Sequence, residues 1–365
     1  MAKSIKKDDL VIHFLNVGLG DNIILELPAD SNGNREYGLV DCYNDYKTLD
    51  YLGKLLNKPT GSTDKIRLRF ICATHPHSDH IRGISKVMEN TVCKEFWDSG
   101  FRHNSLTYSR ILKTVWEKKI RMLRVSSGME WYFGRVRVTA LSPSVLLRNR
   151  YGTYGVDMNN ASIVLRIEHT RENSVLMQSS KYIGNSSIEA EKKAGRSVVI
   201  LAGDAEFDSW SHICQEYPKI ERTSTHKPLV RKMVNNLSSS LVKVAHHGSM
   251  HSTPLDVYEK MHPQKAIIST RQRQSTKKLK QTTINELTRN LFPHDATIMS
   301  LEENDIKVLT TDGMYEGQEL SNGHKKDADN DHPGSIVVVV PPGGKVRWRK
   351  LKDAADELAN PPMTV

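Results

Sequence analysis

The chain has 365 residues, 38% of them hydrophobic, which is enough to bury a sizeable core. Lys and Arg number 52 against 42 Asp and Glu, a formal charge of +10; this fits anionic partners such as nucleic acid, nucleotides or an acidic surface, and equally a lysine-rich solvated surface. No apolar run is long enough for a membrane span, residues 1–9 lack the apolar core of a secretion signal, and Cys42, Cys72, Cys93 and Cys214 lack zinc-knuckle or disulfide-framework spacing, so a soluble, cytoplasmic protein is expected.

In chain order, the apolar run 10–17 predicts a strand, 18–22 a glycine turn and 23–27 a returning strand. A polar hairpin loop at 29–36 leads to a short strand at 38–42, and a helix is expected over 50–56. A strand at 68–73 precedes a tight turn and a helix over 81–90. Residues 96–100 resemble the end of another parallel strand, and 108–118 a helix. Further strands are expected at 136–141, 162–168 and 197–201, with a polar insertion at 179–196 and a short helix after Asp204. The second half continues with a strand at 241–245, a helix at 254–260, a strand at 266–269 and a basic helix at 277–291. Strands at 306–310 and 335–340 flank a polar, mobile loop at 316–333, and 352–365 reads as a polar tail. This alternation predicts an α/β fold with sheet in both halves and helices outside, as one domain over 1–351.

The chemistry concentrates at His75-Pro76-His77-Ser78-Asp79-His80. Four potential metal ligands fall within six positions, on a tight turn after a buried strand where side chains can converge. Imidazole and carboxylate together suit zinc, manganese or iron. Other polar residues share that placement at strand ends: Asp41 after 38–40, Asp204 after 198–203, and His246 and His247 after 241–245. Asp21 sits in the first glycine turn, and Gly203 and Gly248 allow sharp turns. A single strand-end Asp is more often a turn or cap residue; several of them beside the histidine cluster point to a metal centre.

This combination resembles the metallo-β-lactamase superfamily. Val17-Gly18-Leu19-Gly20-Asp21, Thr74 to His80, Asn160-Ala161-Ser162, Leu201 to Glu206, Val244 to Ser249 and Thr311-Asp312-Gly313 are similar to the hydrolase domain of the ComEC DNA-uptake proteins, over residues 10–313. The resemblance implies a metallo-β-lactamase αββα sandwich of two central mixed sheets flanked by helices, and two divalent metal ions, zinc or manganese. It implies His75 and His77 as ligands of the first metal, Asp79 and His80 of the second, Asp204 as a bridge and His246 as the last ligand. Asp79, Asp204 and His247 would be catalytic, with Asp21 and Asp41 supporting the ligands from behind. His247 has two readings, a substrate contact or proton donor against a histidine hydrogen-bonded behind the site. The further histidine of classical members is replaced here by Asn160 and Ser162, so the first site is weaker or is completed by Asp21, Asn160 or water. A Tyr-Gly-His-Pro-like segment usual in the ComEC branch is replaced by a basic stretch from Thr270 to Lys278.

Such a site suits phosphodiester hydrolysis, with a nuclease as the leading expectation. Asn160, Arg271, Arg273 and Lys277 are the expected substrate contacts, with Lys278 and Lys280 extending the basic run, and Tyr43 and Tyr46 could stack on a base or simply pack a loop. The alternatives are a phosphodiesterase of cyclic or short oligonucleotides, a thioester, lactone or amide hydrolase, and a non-catalytic nucleic-acid or partner-binding protein. A protein partner in DNA processing or defence is a further expectation, as is the absence of a membrane partner.

Overall fold

Most strands of this chain are apolar on both faces, and each therefore needs cover on both sides. A computed structural model describes residues 5–58, 65–154, 157–171, 196–217, 220–223, 231–234, 237–270, 292–312 and 333–351. It resolves the need for cover as two mixed sheets packed face to face with helices outside, the αββα sandwich expected from the sequence.

The first sheet contains β1 (Leu10–Phe14), β2 (Asn22–Glu26), β3 (Tyr37–Cys42), β4 (Arg67–Ala73), β5 (Val92–Asp98), β6 (Arg121–Arg124), β16 (Ile336–Val340) and β17 (Arg347–Lys350). Its order is β17-β16-β1-β2-β3-β4-β5-β6. Pairing is antiparallel from β17 to β3 and parallel from β3 to β6. The second sheet contains β7 (Glu130–Phe133), β8 (Val136–Ser142), β9 (Val164–Thr170), β10 (Arg196–Leu201), β13 (Leu241–Lys243), β14 (Lys265–Ile268) and β15 (Lys307–Thr310). Its order is β15-β14-β13-β10-β9-β8-β7, parallel from β15 to β10 and antiparallel beyond. A separate hairpin pairs β11 (Ile220–Thr223) with β12 (Arg231–Val234).

Alternation along each strand divides the core into layers. In β3 and β4, Val40, Phe70 and Cys72 face the space between the sheets, where they meet Val138, Leu165 and Val199 of the second sheet. Leu39 and Ile71 face outward beneath α1 (Asp45–Leu55), α3 (Ile84–Asn90) and α4 (Leu106–Glu117). On the other side Ile200, Val242 and Ile268 pack under α6 (Phe207–Glu216), α7 (Leu255–Met261) and α8 (Asp295–Glu303). No helix among the described residues is long and apolar enough to cross a membrane.

The expected elements shift mostly at their ends. The first helix begins at Asp45 rather than 50, because the Asn44 side chain caps it by accepting from Lys47 N. The helix expected over 81–90 is broken at Arg82-Gly83 into α2 (Ser78–Ile81) and α3; a Cβ at position 83 would meet Asp45 N and Cys42 Sγ. Strands β6, β7, β11, β12 and β17, α5 (Val145–Tyr154) and α8 were not expected. The insertion at 179–196, the loop at 316–333, the basic helix at 277–291 and the tail at 352–365 lie outside the described residues, apart from Arg196, which opens β10, and residue 333.

Candidate metal centre

Parallel strands from both sheets end at one place, and their following turns carry the polar residues. In α/β sheets this end of the strands is the usual ligand position. Asp41 closes β3, the histidine loop follows β4, Asp204 follows β10 and His247 follows β13. Asp79, His80, Asp204 and His247 each offer a donor atom, all within 4.8 Å of one another. His80 Nε2 lies 3.1 Å from Asp204 Oδ2, and His247 Nε2 lies 3.5 Å from Asp79 Oδ2. His75 joins from the side, with Nε2 3.8 Å from Asp204 Oδ2 and 3.1 Å from His77 Nδ1. Two nitrogens bound to one tetrahedral zinc are about 3.3 Å apart, so the His75–His77 spacing suits a shared ion.

Three of these histidines have an oxygen behind Nδ1 that sets the tautomer. His80 Nδ1 donates to Asp41 Oδ2 at 2.7 Å, and His247 Nδ1 to the Ser269 carbonyl at 2.9 Å. His75 Nδ1 faces Thr74 Oγ1 at 3.2 Å, and that hydroxyl donates onward to Asp41 Oδ2 at 2.7 Å. Each ring, once neutral, therefore presents the Nε2 lone pair inward. His80 Nε2, His247 Nε2 and Asp204 Oδ1 are buried and make no hydrogen bond. Buried polar atoms are rarely left so, and this converging set of lone pairs fits divalent metal ions.

The local backbone explains how the set is aimed. Asp41, His246 and His247 adopt positive φ of 57°, 47° and 51°, a conformation uncommon for residues with side chains. The consecutive His246-His247-Gly248 twist sends the two imidazoles to different places. Gly203, at φ +52°, passes so close to Ser162 and Thr74 that a Cβ would lie 3.1 Å from each. Ser162 Oγ accepts from the Asp204 N–H at 3.0 Å and fixes the turn.

Electrostatics follow from burial and proximity. Burial opposes a charge on His80, yet Asp204 and Asp41 hold its pKa well above the ordinary histidine value. Burial and the neighbouring His80 hold His75 well below it. Burial would raise Asp204, but His80, His247 and His75 hold its carboxyl well below the usual range.

Of the two histidines after β13, the ligand expected from the sequence was His246. It is His247 that stands in the group of four. His246 lies at the rim with its side chain 21% exposed, Nδ1 3.0 Å from Glu206 Oε1 and Nε2 4.0 Å from Asp204 Oδ2. Asn159 Nδ2 also donates to that Glu206 oxygen at 2.9 Å. Asn160, expected to meet substrate, is buried, and its Oδ1 accepts from Ser209 N at 3.0 Å, tying the loop to α6. Asp21 pairs with the fully buried Lys243, and its Oδ2 lies 3.8 Å from His80 Nδ1. Tyr43 packs against Gly20 and under the Arg82 guanidinium, 4.5 Å from its ring centre, while Tyr46 is exposed. Arg271, Arg273, Lys277, Lys278 and Lys280 lie outside the described residues. Glu206 and Lys243 were not singled out in the sequence; an acid two residues past Asp204, and a lysine inside an apolar strand, were the available signals.

Comparison with family models and with curated proteins gives no match. Among solved structures, the chain is similar to the metallo-β-lactamase fold protein YhfI from Bacillus subtilis, at 10% identity and a TM-score of 0.41, over 83% of this chain and 96% of that one. It is also similar to Igni18, a metallo hydrolase from Ignicoccus hospitalis, at 11% identity and a TM-score of 0.38, over 85% and 97% of the two chains. A diphosphatase from the PhnP family aligns at 11% identity and a TM-score of 0.34, over 80% of this chain and 81% of that one. These are likenesses of fold.

Proposed function

We propose that this chain is a metal-dependent phosphodiester hydrolase, with nucleic acid or an oligonucleotide as its substrate class. The observation that carries the reading is the convergence of buried, hydrogen-bond-free Nε2 and Oδ atoms from His80, His247 and Asp204 beside His75, His77 and Asp79. His75, His77 and Asp204 would hold one divalent ion, and Asp79, His80, Asp204 and His247 a second. When bound, such ions supply Lewis-acid activation of water and polarise the attacked phosphoryl group. Asp41 and Thr74 keep His80 and His75 in the ligating tautomer. Ser162 holds the turn that presents Asp204. His246, steadied by Glu206 at the rim, would touch the substrate. The formal charge of +10 favours an anionic substrate over a neutral ester or lactone. The ComEC-like sequence motifs support the same chemistry.

The test is turnover by metal-depleted protein refilled separately with zinc and with manganese. Labelled single- and double-stranded DNA, RNA and cyclic dinucleotides are the substrates, and Asp204→Ala and His247→Ala are the controls. Cleavage is expected with metal and is lost in both variants. Absence of cleavage at full metal occupancy removes the phosphodiesterase reading and moves the search to thioester, lactone and amide substrates.

A further inference from the structure

Beside the metal centre opens a cleft of about 250 Å³, walled on one side by residues 76–79 of the histidine loop. Its other wall is His103, Ser105 and Thr107, from the segment that joins β5 to α4 and from the first turn of that helix. The His103 ring stands nearly perpendicular to the His77 ring, at 80° and 6.1 Å between centres. The cleft lies just below the roughly 300–1,000 Å³ of drug-sized ligand pockets, room enough for a phosphoryl group.

His103 differs from the three tautomer-fixed ligands in one respect. Behind His75, His80 and His247 an oxygen faces Nδ1, which leaves the Nε2 lone pair pointing forward. The Nδ1 of His103 is buried with no hydrogen-bond partner. A proton there would be an orphaned buried N–H, the costlier kind of unsatisfied group. The proton therefore belongs on Nε2, and His103 offers a donor where those ligands offer a lone pair. Ser78, Ser105 and Thr107 add hydroxyls, and the one carboxylate in the lining, Asp79, belongs to the metal group. The first turn of α4 carries no acidic residue. Donors lining a cleft whose one carboxylate belongs to the metal group suit a ligand that presents several oxygen acceptors.

We propose that His103 is a substrate contact, its Nε2–H donating to a phosphoryl oxygen seated between His77 and His103. The proposal rests on the phosphodiester reading of the centre for its substrate, and inorganic phosphate tests it separately. The full chain, loaded with manganese or zinc, is compared with His103→Ala and His103→Gln in three measurements: metal content, calorimetric affinity for inorganic phosphate, and kinetics on a labelled oligonucleotide. Losing a hydrogen bond to a charged group should weaken phosphate binding by about tenfold or more. His103→Ala should raise KM by a similar factor at full metal content, and His103→Gln, which keeps a donor, should recover part of both. Unchanged phosphate affinity and unchanged KM in His103→Ala overturn the proposal. Loss of a metal equivalent also overturns it, because His103 would then be a ligand. If the parent protein binds phosphate through His103 but cleaves no phosphodiester, the subsite stands and the phosphodiesterase reading fails; cleavage indifferent to His103 gives the reverse.

Discussion

Asp41 carries more of the centre than any residue that would touch an ion. One carboxylate accepts from His80 Nδ1, Thr74 N and Thr74 Oγ1, and through Thr74 it reaches His75. Asp41→Asn should keep the shape but loosen two rings at once. Removing such support behind a ligand typically costs about 10- to 100-fold in metal affinity. Competition titration with a zinc chelator measures it, and an affinity equal to the parent's would show that the rings are held by packing alone. Away from the centre, two buried groups shift stability with pH in opposite senses. Burial drives His169 down to about 4, against its bond to the Val340 carbonyl, so its stabilising contribution is present above the ordinary value of 6.5 and is lost as pH falls through about 4. Burial pushes Asp98 up to about 6, against bonds from Gly100 N and Tyr108, so its contribution is present below 3.8 and is lost as pH rises through about 6. Each amounts to about 3 kcal/mol at most. Urea midpoints across this range should show His169→Gln losing less stability than the parent on acidification, and Asp98→Asn losing less as pH rises. Profiles parallel to the parent's would contradict both assignments.

At the scale of elements, the turn after β10 constrains the backbone beside Asp204. Alanine at Gly203 would take a conformation unfavourable for a side chain and press on Ser162 and Thr74. Gly203→Ala should destabilise by about 1–2 kcal/mol and reduce metal content by displacing Asp204; a variant with parental urea midpoint and full metal would show that the turn relaxes freely. The same region shows what sequence can carry. Strands β3, β4, β10 and β13 were legible because each is an apolar run stopped by a polar residue, and a polar residue at such a stop is already at the carboxyl end of its strand. Which of two adjacent histidines turns inward was not legible. That choice depends on consecutive positive φ angles at His246 and His247, and no residue type announces them there. Strand β17 hides because Arg347-Trp348-Arg349-Lys350 reads as a charged loop, although Trp348 is buried in the inter-sheet core. Strand β7 pairs with β8 across Gly134, a turn visible once both arms are taken as strands.

Across the whole molecule, the two sheets meet at the centre through charge as well as through apolar packing. Lys243 of β13 is fully buried and reaches Asp21 in the turn between β1 and β2. Lys243→Met should destabilise by about 3–5 kcal/mol, because Asp21 is left buried and uncompensated, whereas the double variant with Asp21→Asn should recover much of the loss. Thermal unfolding of the two variants decides it; equal losses would mean that the pair contributes only through lysine packing. Metal addition should raise the melting temperature of the parent, and chelation should lower it, since an ion held by both sheets binds only the assembled form.

His75, His77, Asp79 and His80 are all synthesised long before Asp204 and His247, and no sheet can complete the set alone. Capture of an ion must then wait for the docking of the two halves, which depends on contacts distant in sequence and is therefore slow. The arrival of bound cobalt, followed by its visible absorbance during refolding, becomes a clock for that docking step, separable from the earlier rise of helical signal.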